Sequence, residues 1–109
     1  MRVLHSSGAM SRMDATMEAK KPFSLGQLVA TPGAMRALLD AGQSPSEFLD
    51  RHGRGDWGDV SGGDGRLNDE AVEEGSRMFS AYMTNGGVRI WVITEADRSS
   101  TCILLPDEY

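Results

Sequence analysis

The chain is poor in cysteine, in histidine and in long apolar runs, and each shortage closes a class of explanation. A single cysteine, Cys102, cannot form an internal disulfide and cannot build a multi-thiolate zinc site. The two histidines, His5 and His52, lie far apart without ligand spacing, and the acids at 56, 59 and 64 form no EF-hand loop. Counted from Asp56, the position that needs a bidentate glutamate holds Leu67. No apolar run approaches the roughly 18 residues of a membrane span, and no signal-like segment follows Met1, so a cytoplasmic protein is expected. Neither a Gly-x-Ser-x-Gly elbow nor a Gly-Lys-Ser/Thr phosphate loop occurs. The expectation is a chain with no metal and no cofactor.

What is present describes one small domain. With 109 residues, 39% hydrophobic and 25% charged, the composition is that of an ordinary globular protein. Residues 1–21 carry four of the seven methionines and no sustained periodicity, and read as a flexible extension, with Met17 an alternative start. Residues 22–109 read as a single α+β domain.

Thr31-Pro32 is a helix start, a hydroxyl N-cap followed by proline at the first helical position, and Gly42 ends that helix. Ser44-Pro45-Ser46-Glu47 opens a second, with Ser44 and Glu47 spaced for a reciprocal capping box and Glu47 four residues before Arg51. Gly53 closes it. Six glycines in residues 53–66 argue against regular structure there, so a third helix is predicted from Asn68 as N-cap, with Leu67 and Val72 as a hydrophobic staple. The period then falls from 3.6 to 2. Residues 77–83, 88–94 and 101–105 read as strands, with Asn85-Gly86 in a tight turn.

The expected architecture is three short helices packed on a C-terminal antiparallel β-meander of three to four strands, the fourth from residues 24–30. Leu28, Met35, Leu38, Leu39, Phe48, Leu49, Val72, Phe79, Ile90, Val92, Ile103 and Leu105 form the predicted core. Strand parity puts Val88, Ile90 and Val92 toward the helices. Arg89, Trp91 and Ile93 then project from the other face, with Tyr82 and Leu104 beside them. Such an apolar patch calls for cover by residues 23–30, by a protein partner or by a second copy of the chain.

Charge is unevenly spread. Residues 1–54 hold seven basic and five acidic residues, whereas 55–109 hold four and eleven. Asp56, Asp59, Asp64, Asp69, Glu70, Glu73 and Glu74 lie within twenty residues opposed only by Arg66. Such a segment repels phosphate, so no direct nucleic-acid binding is expected, and it suits a basic protein surface. It serves equally well as a solvated stretch.

Trp57, set among glycines and charges, either folds back onto the core or joins Asp56, Asp59, Glu73 and Glu74 as a contact surface. Glu95, Asp97 and Arg98 at the hairpin tip after Trp91 are the second candidate cluster, unless Asp97 and Arg98 merely pair to shape the turn. No catalytic residue is assigned. An enzymatic alternative uses His52, Arg54 and Arg98 in a layout similar to RelE-like ribonuclease toxins. Those toxins are basic, whereas this chain past residue 21 has seven basic and fourteen acidic residues.

The words Ala-Thr-Pro-Gly-Ala (30–34), Gly-Gln-Ser-Pro-Ser-Glu-Phe-Leu (42–49), Gly-Asp-Trp-Gly (55–58) and Ser-Ala-Tyr (80–82) form a series. It continues in Ile-Trp-Val-Ile-Thr-Glu-Ala-Asp-Arg-Ser (90–99) and ends in Ile-Leu-Leu-Pro-Asp-Glu-Tyr (103–109). Over residues 23–109 the chain resembles a family of small bacterial proteins carried on plasmids, phages and integrated elements. Members are labelled "plasmid-related protein" or "type I restriction endonuclease subunit M". A modification subunit needs βαβ units and an Asn/Asp-Pro-Pro-Tyr/Phe motif, and this chain has no Pro-Pro pair. What the resemblance implies is an interaction protein of a mobile element. Its expected role is inhibition of a host defence complex of the CRISPR or restriction type, with an accessory role as the blander alternative.

Overall fold

The computed structural model describes residues 2–3, 23–60 and 62–109, with side chains from residues 23–60 and 65–109. In chain order the elements are β1 (Arg2–Val3), β2 (Gln27–Ala30), α1 (Pro32–Ala41), α2 (Pro45–Gly53), α3 (Gly62–Glu74), β3 (Met78–Met83), β4 (Arg89–Thr94), β5 (Ser100–Leu104) and a 3₁₀ turn over Pro106–Glu108. The expectation of an extension over residues 1–21, with Met17 as a start, lies outside the described residues apart from Arg2–Val3. Those two pair antiparallel with Val29 and Ala30. No helix among the described residues is long and apolar enough to cross a membrane.

The fold is α+β, with the sheet built mainly from the C-terminal part of the chain. The strand order is β1-β2-β5-β4-β3. β3, β4 and β5 form the expected antiparallel meander, but β2 joins β5 in parallel, Leu28 opposite Thr101 and Ala30 opposite Ile103. The sheet is therefore mixed. Between β2 and β5 the chain passes through three helices and a hairpin, a connection long enough to return it in the same direction.

Local signals account for the first two helices. Thr31 Oγ1 accepts from the Ala34 amide at 3.2 Å, Pro32 occupies the first turn, and Gly42 ends α1 at φ 66°. Leu38 follows Ala34 by four residues on the buried seam, which turns the adjacent Leu39 outward to 75% exposure and removes it from the predicted core. At α2 the capping box does not form. Ser44 Oγ accepts from Ser46 N, Glu47 takes the Gln43 side-chain amide at 2.9 Å, and Arg51 turns to Asp56 instead of Glu47.

The third helix departs most from expectation. It starts at Gly62, six residues before Asn68, so Leu67 is exposed and no staple forms. Asn68 sits mid-helix, where its carboxamide donates to Phe79 O at 2.6 Å and accepts from Phe79 N at 2.9 Å. Residues 57–59 perform the same service two residues on: Ala81 N donates to Trp57 O and Asp59 N to Ala81 O, with Gly58 opposite Ala81. A side-chain amide and a bridging loop thus pair the outer edge of β3 at two successive outward positions, which blocks further strand addition there. Gly58 is at φ 74°, and a Cβ on it would lie 2.1 Å from Ala81 O.

The main core gathers Ala30, Ala34, Leu38, Phe48, Leu49, Tyr82, Ile90, Val92 and Ile103 between α1, α2 and the sheet. A smaller cluster of Trp57, Ala71 and Met78, edged by Phe23, Val60 and Val72, lies under α3. Leu28, Met35, Val72, Phe79 and Leu105 are half-buried. Strand parity is as read from the sequence for Ile90 and Val92, both fully buried. Tyr82 is corrected, because it stands opposite Ile90 and faces the helices.

Candidate functional site

α2 carries His52 four residues after Phe48, so the apolar stripe of the helix takes the imidazole into the core, where it is wholly buried. Inward positions of two strands meet it there, and a third strand stands behind them. Nδ1 lies 2.5 Å from Ser80 Oγ and Nε2 lies 2.8 Å from Thr94 Oγ1. Thr94 Oγ1 is 2.7 Å from Thr101 Oγ1, which donates to Leu25 O at 2.7 Å. Each hydroxyl has one proton, and this fixes the direction of the chain. Thr101 spends its proton on Leu25, so Thr94 donates to Thr101. His52 Nε2–H therefore donates to Thr94, and Nδ1 accepts from Ser80. The imidazole is the neutral Nε2–H tautomer, and burial pushes its pKa down to about 3. Phe23 and Trp57 meet the ring edge-on, with centroids at 5.6 and 5.5 Å. A base whose two nitrogens are both engaged inside the core has no path to a substrate.

The other candidates sort by what they touch. Trp57 is 7% exposed, stacks on Phe23, and donates Nε1–H to Asp69 at 2.9 Å, so it belongs to the core and offers no contact surface. Arg98 does not pair with Asp97. Its NH2 donates to Ala71 O at 2.8 Å and its NH1 to Ser76 O at 2.6 Å and to Glu95 O and Ala96 O at 3.2 Å each, which ties the hairpin tip to the end of α3. This aim requires φ 61° at Arg98, a left-handed conformation uncommon for arginine. Asp97 accepts from Ser99 N within the turn, which Arg98 N also closes on Glu95 O. With His52 enclosed and Arg98 engaged by carbonyls, the enzymatic trio is dispersed, and Arg54 stands exposed at the end of α2.

The acidic segment is only partly available. Asp56 binds Arg51 at 2.7 Å, and this bond holds its carboxyl below the usual range. Asp69 is taken by Trp57 and Asp59 lies 3.9 Å from Arg89. Glu70, Glu73 and Glu74 are exposed along α3. The side chain of Asp64 lies outside the described residues.

The outward face of the sheet is the remaining feature. Phe79 stands opposite Ile93, Trp91 opposite both Ala81 and Leu104, and Cys102 opposite Ile93. Phe79 and Tyr109 meet Trp91 edge-to-face at 5.0 and 5.7 Å. With Arg77 and Ile93 they line a concavity of about 300 Å³. Arg77 NH1 donates to Tyr109 OH at 2.8 Å, and NH2 lies 3.5 Å from Glu95. Trp91 thus lines this groove and Glu95 reaches it only through Arg77, while Asp97 and Arg98 serve the turn beyond it.

No family model, curated protein or solved structure matches the chain. Among the described residues, no group of three or more histidines, cysteines or carboxylates is gathered to hold a metal ion. Burial raises the Cys102 pKa, away from the thiolate that nucleophilic chemistry needs.

Sequence reasoning missed Ser80 and Thr94 as partners of His52, and Thr101 behind Thr94. The signal was available: hydroxyls at inward strand positions facing a histidine on the apolar side of a helix. For Tyr109 and Glu108 no local pattern exists, since Tyr109 joins Arg77 thirty-two residues back and Glu108 joins Thr31 seventy-seven residues back.

Proposed function

We propose that this chain is an interaction protein that acts by docking a protein partner on the outward sheet face around Trp91. The observation that carries the reading is this face itself, where Phe79, Trp91, Ile93 and Tyr109 line a groove on the side of the sheet opposite the helical core. Aromatic residues at the centre of an apolar patch are the usual anchors of protein association. The exposed Glu70, Glu73 and Glu74 and the net charge of −5 favour a basic partner surface.

Surfaces that receive nucleic acid are basic. With the resemblance to plasmid- and phage-borne proteins, this directs the proposal to a cytoplasmic inhibitor of a nucleic-acid-handling defence complex of the host, of the restriction or CRISPR type. The experiment is inhibition of DNA cleavage by purified complexes of both types. Wild type is expected to inhibit at least one. Trp91→Ala, and separately a Glu70, Glu73 and Glu74 to Gln triple variant, should inhibit less. Cleavage of total RNA by the chain alone would instead support the ribonuclease alternative, and failure to inhibit any complex would remove the anti-defence role.

A further inference from the structure

The groove around Trp91 has one wall that does not belong to the sheet. Tyr109 follows the 3₁₀ turn Pro106–Glu108, and it is 68% exposed while its ring covers the Trp91 edge. Pro106 is half-buried and Asp107, Glu108 and Tyr109 are exposed, so little apolar surface holds this segment down. What holds it is polar and specific. The Glu108 carboxylate accepts from the Thr31 hydroxyl, from Leu105 N at 2.9 Å and from Gly33 N at 3.2 Å. It therefore closes on the first turn of α1, where amide donors and the helix dipole favour a negative charge. A Cβ on Gly33 would come 2.5 Å from Glu108 Oε2, so the residue type at 33 leaves the room the carboxylate uses. At the other end, Tyr109 OH takes the Arg77 hydrogen bond at 2.8 Å.

We infer that residues 106–109 are a strap, latched by Glu108 on α1 and by Arg77 on Tyr109, that covers Trp91 in the free protein and is released to open the sheet face. A segment held by two polar latches and almost no buried apolar area opens locally without unfolding the domain. Release removes the Tyr109 wall and opens the groove along Phe79, Trp91 and Ile93. The strap regulates the face assigned above to docking and so rests on that reading, yet its latch is testable without any partner.

The two tryptophans supply the readout. In a ¹H–¹⁵N spectrum, the Trp91 indole reports the strap and the Trp57 indole, bonded to Asp69, reports the core. Glu108→Ala should shift the Trp91 indole resonance while leaving Trp57 in place, and should raise the fluorescence of the apolar dye anilinonaphthalenesulfonate about twofold or more. Arg77→Ala, which unlatches the other end without touching α1, should move the Trp91 indole in the same direction. Tyr109→Ala should give the largest shift, and adding Glu108→Ala to it should change nothing further at Trp91. If Glu108→Ala unfolds the domain, both indoles collapse and the Arg77→Ala and Tyr109→Ala spectra decide. An unmoved Trp91 indole in folded Glu108→Ala, or in folded Arg77→Ala, overturns the strap and leaves the docking proposal standing.

Discussion

His52 Nε2–H donates to Thr94 Oγ1 at 2.8 Å inside the core, and this bond fixes the tautomer of the one described histidine. Its folded pKa near 3 lies below the ordinary 6.5. Between those values the unfolded chain binds a proton that the folded chain refuses. Stability is then fully present above pH 6.5 and falls as pH drops, by up to about 1.4 kcal/mol per unit. Asp56 and Glu108, with carboxyl pKa values lowered mainly by Arg51 and by Thr31, begin to cost stability only below the ordinary carboxylate range. The interval from pH 6.5 to 4.5 therefore belongs to His52. Urea unfolding across it should lose about 2–3 kcal/mol. His52→Leu should be less stable at pH 7 by about 2–4 kcal/mol, because Ser80 and Thr94 lose their partner, and should lack the slope. An equally steep slope in the variant contradicts the assignment.

Gly58→Ala should destabilise by about 2–4 kcal/mol, since it combines a positive φ with a Cβ driven into Ala81 O. Chemical denaturation measures it. A loss below about 0.5 kcal/mol would mean that residues 57–59 move off β3 without consequence.

Arg98→Ala should cost about 1–3 kcal/mol through four lost carbonyl contacts. Asp97→Ala, which removes an exposed acceptor for Ser99, should cost less. The reverse order of melting temperatures would restore the Asp97–Arg98 pair as the shaper of the turn.

Ile90→Ala should cost about 2–5 kcal/mol, as its side chain is fully buried against Tyr82 and the helices. A loss under about 0.5 kcal/mol would reverse the assignment of the two sheet faces.

These contrasts show which signals a sequence carries. Thr31-Pro32, Gly42 and Ser44-Pro45 act within one turn of helix, so α1 and α2 were legible to the residue or nearly so. The alternation through Ile90 and Val92 is equally local and gave the sheet faces. α3 was misplaced because glycine propensity over residues 62–65 argues against a helix that β3 and Trp57 impose by tertiary contact. Asn68 looked like a cap because caps are where asparagine is usually found, while its role here depends on the backbone of Phe79. Trp57, Arg98 and Glu108 share this property: each is explained by a partner at least twelve residues distant in the chain. The groove was half legible, through Trp91 and Ile93, and its Tyr109 wall was not.

The docking claim meets its most direct test in how Trp91→Ala divides its effect. Trp91 is half-buried on the outward face, so truncation should lower the melting temperature modestly, by about 3–8 °C for a domain of this size. Capture of a nucleic-acid-handling complex from a defence-positive host, or self-association seen by ultracentrifugation, should fall at least about tenfold, as for a central aromatic anchor. A strict monomer that captures the same complex equally well with and without the Trp91 side chain would contradict the account.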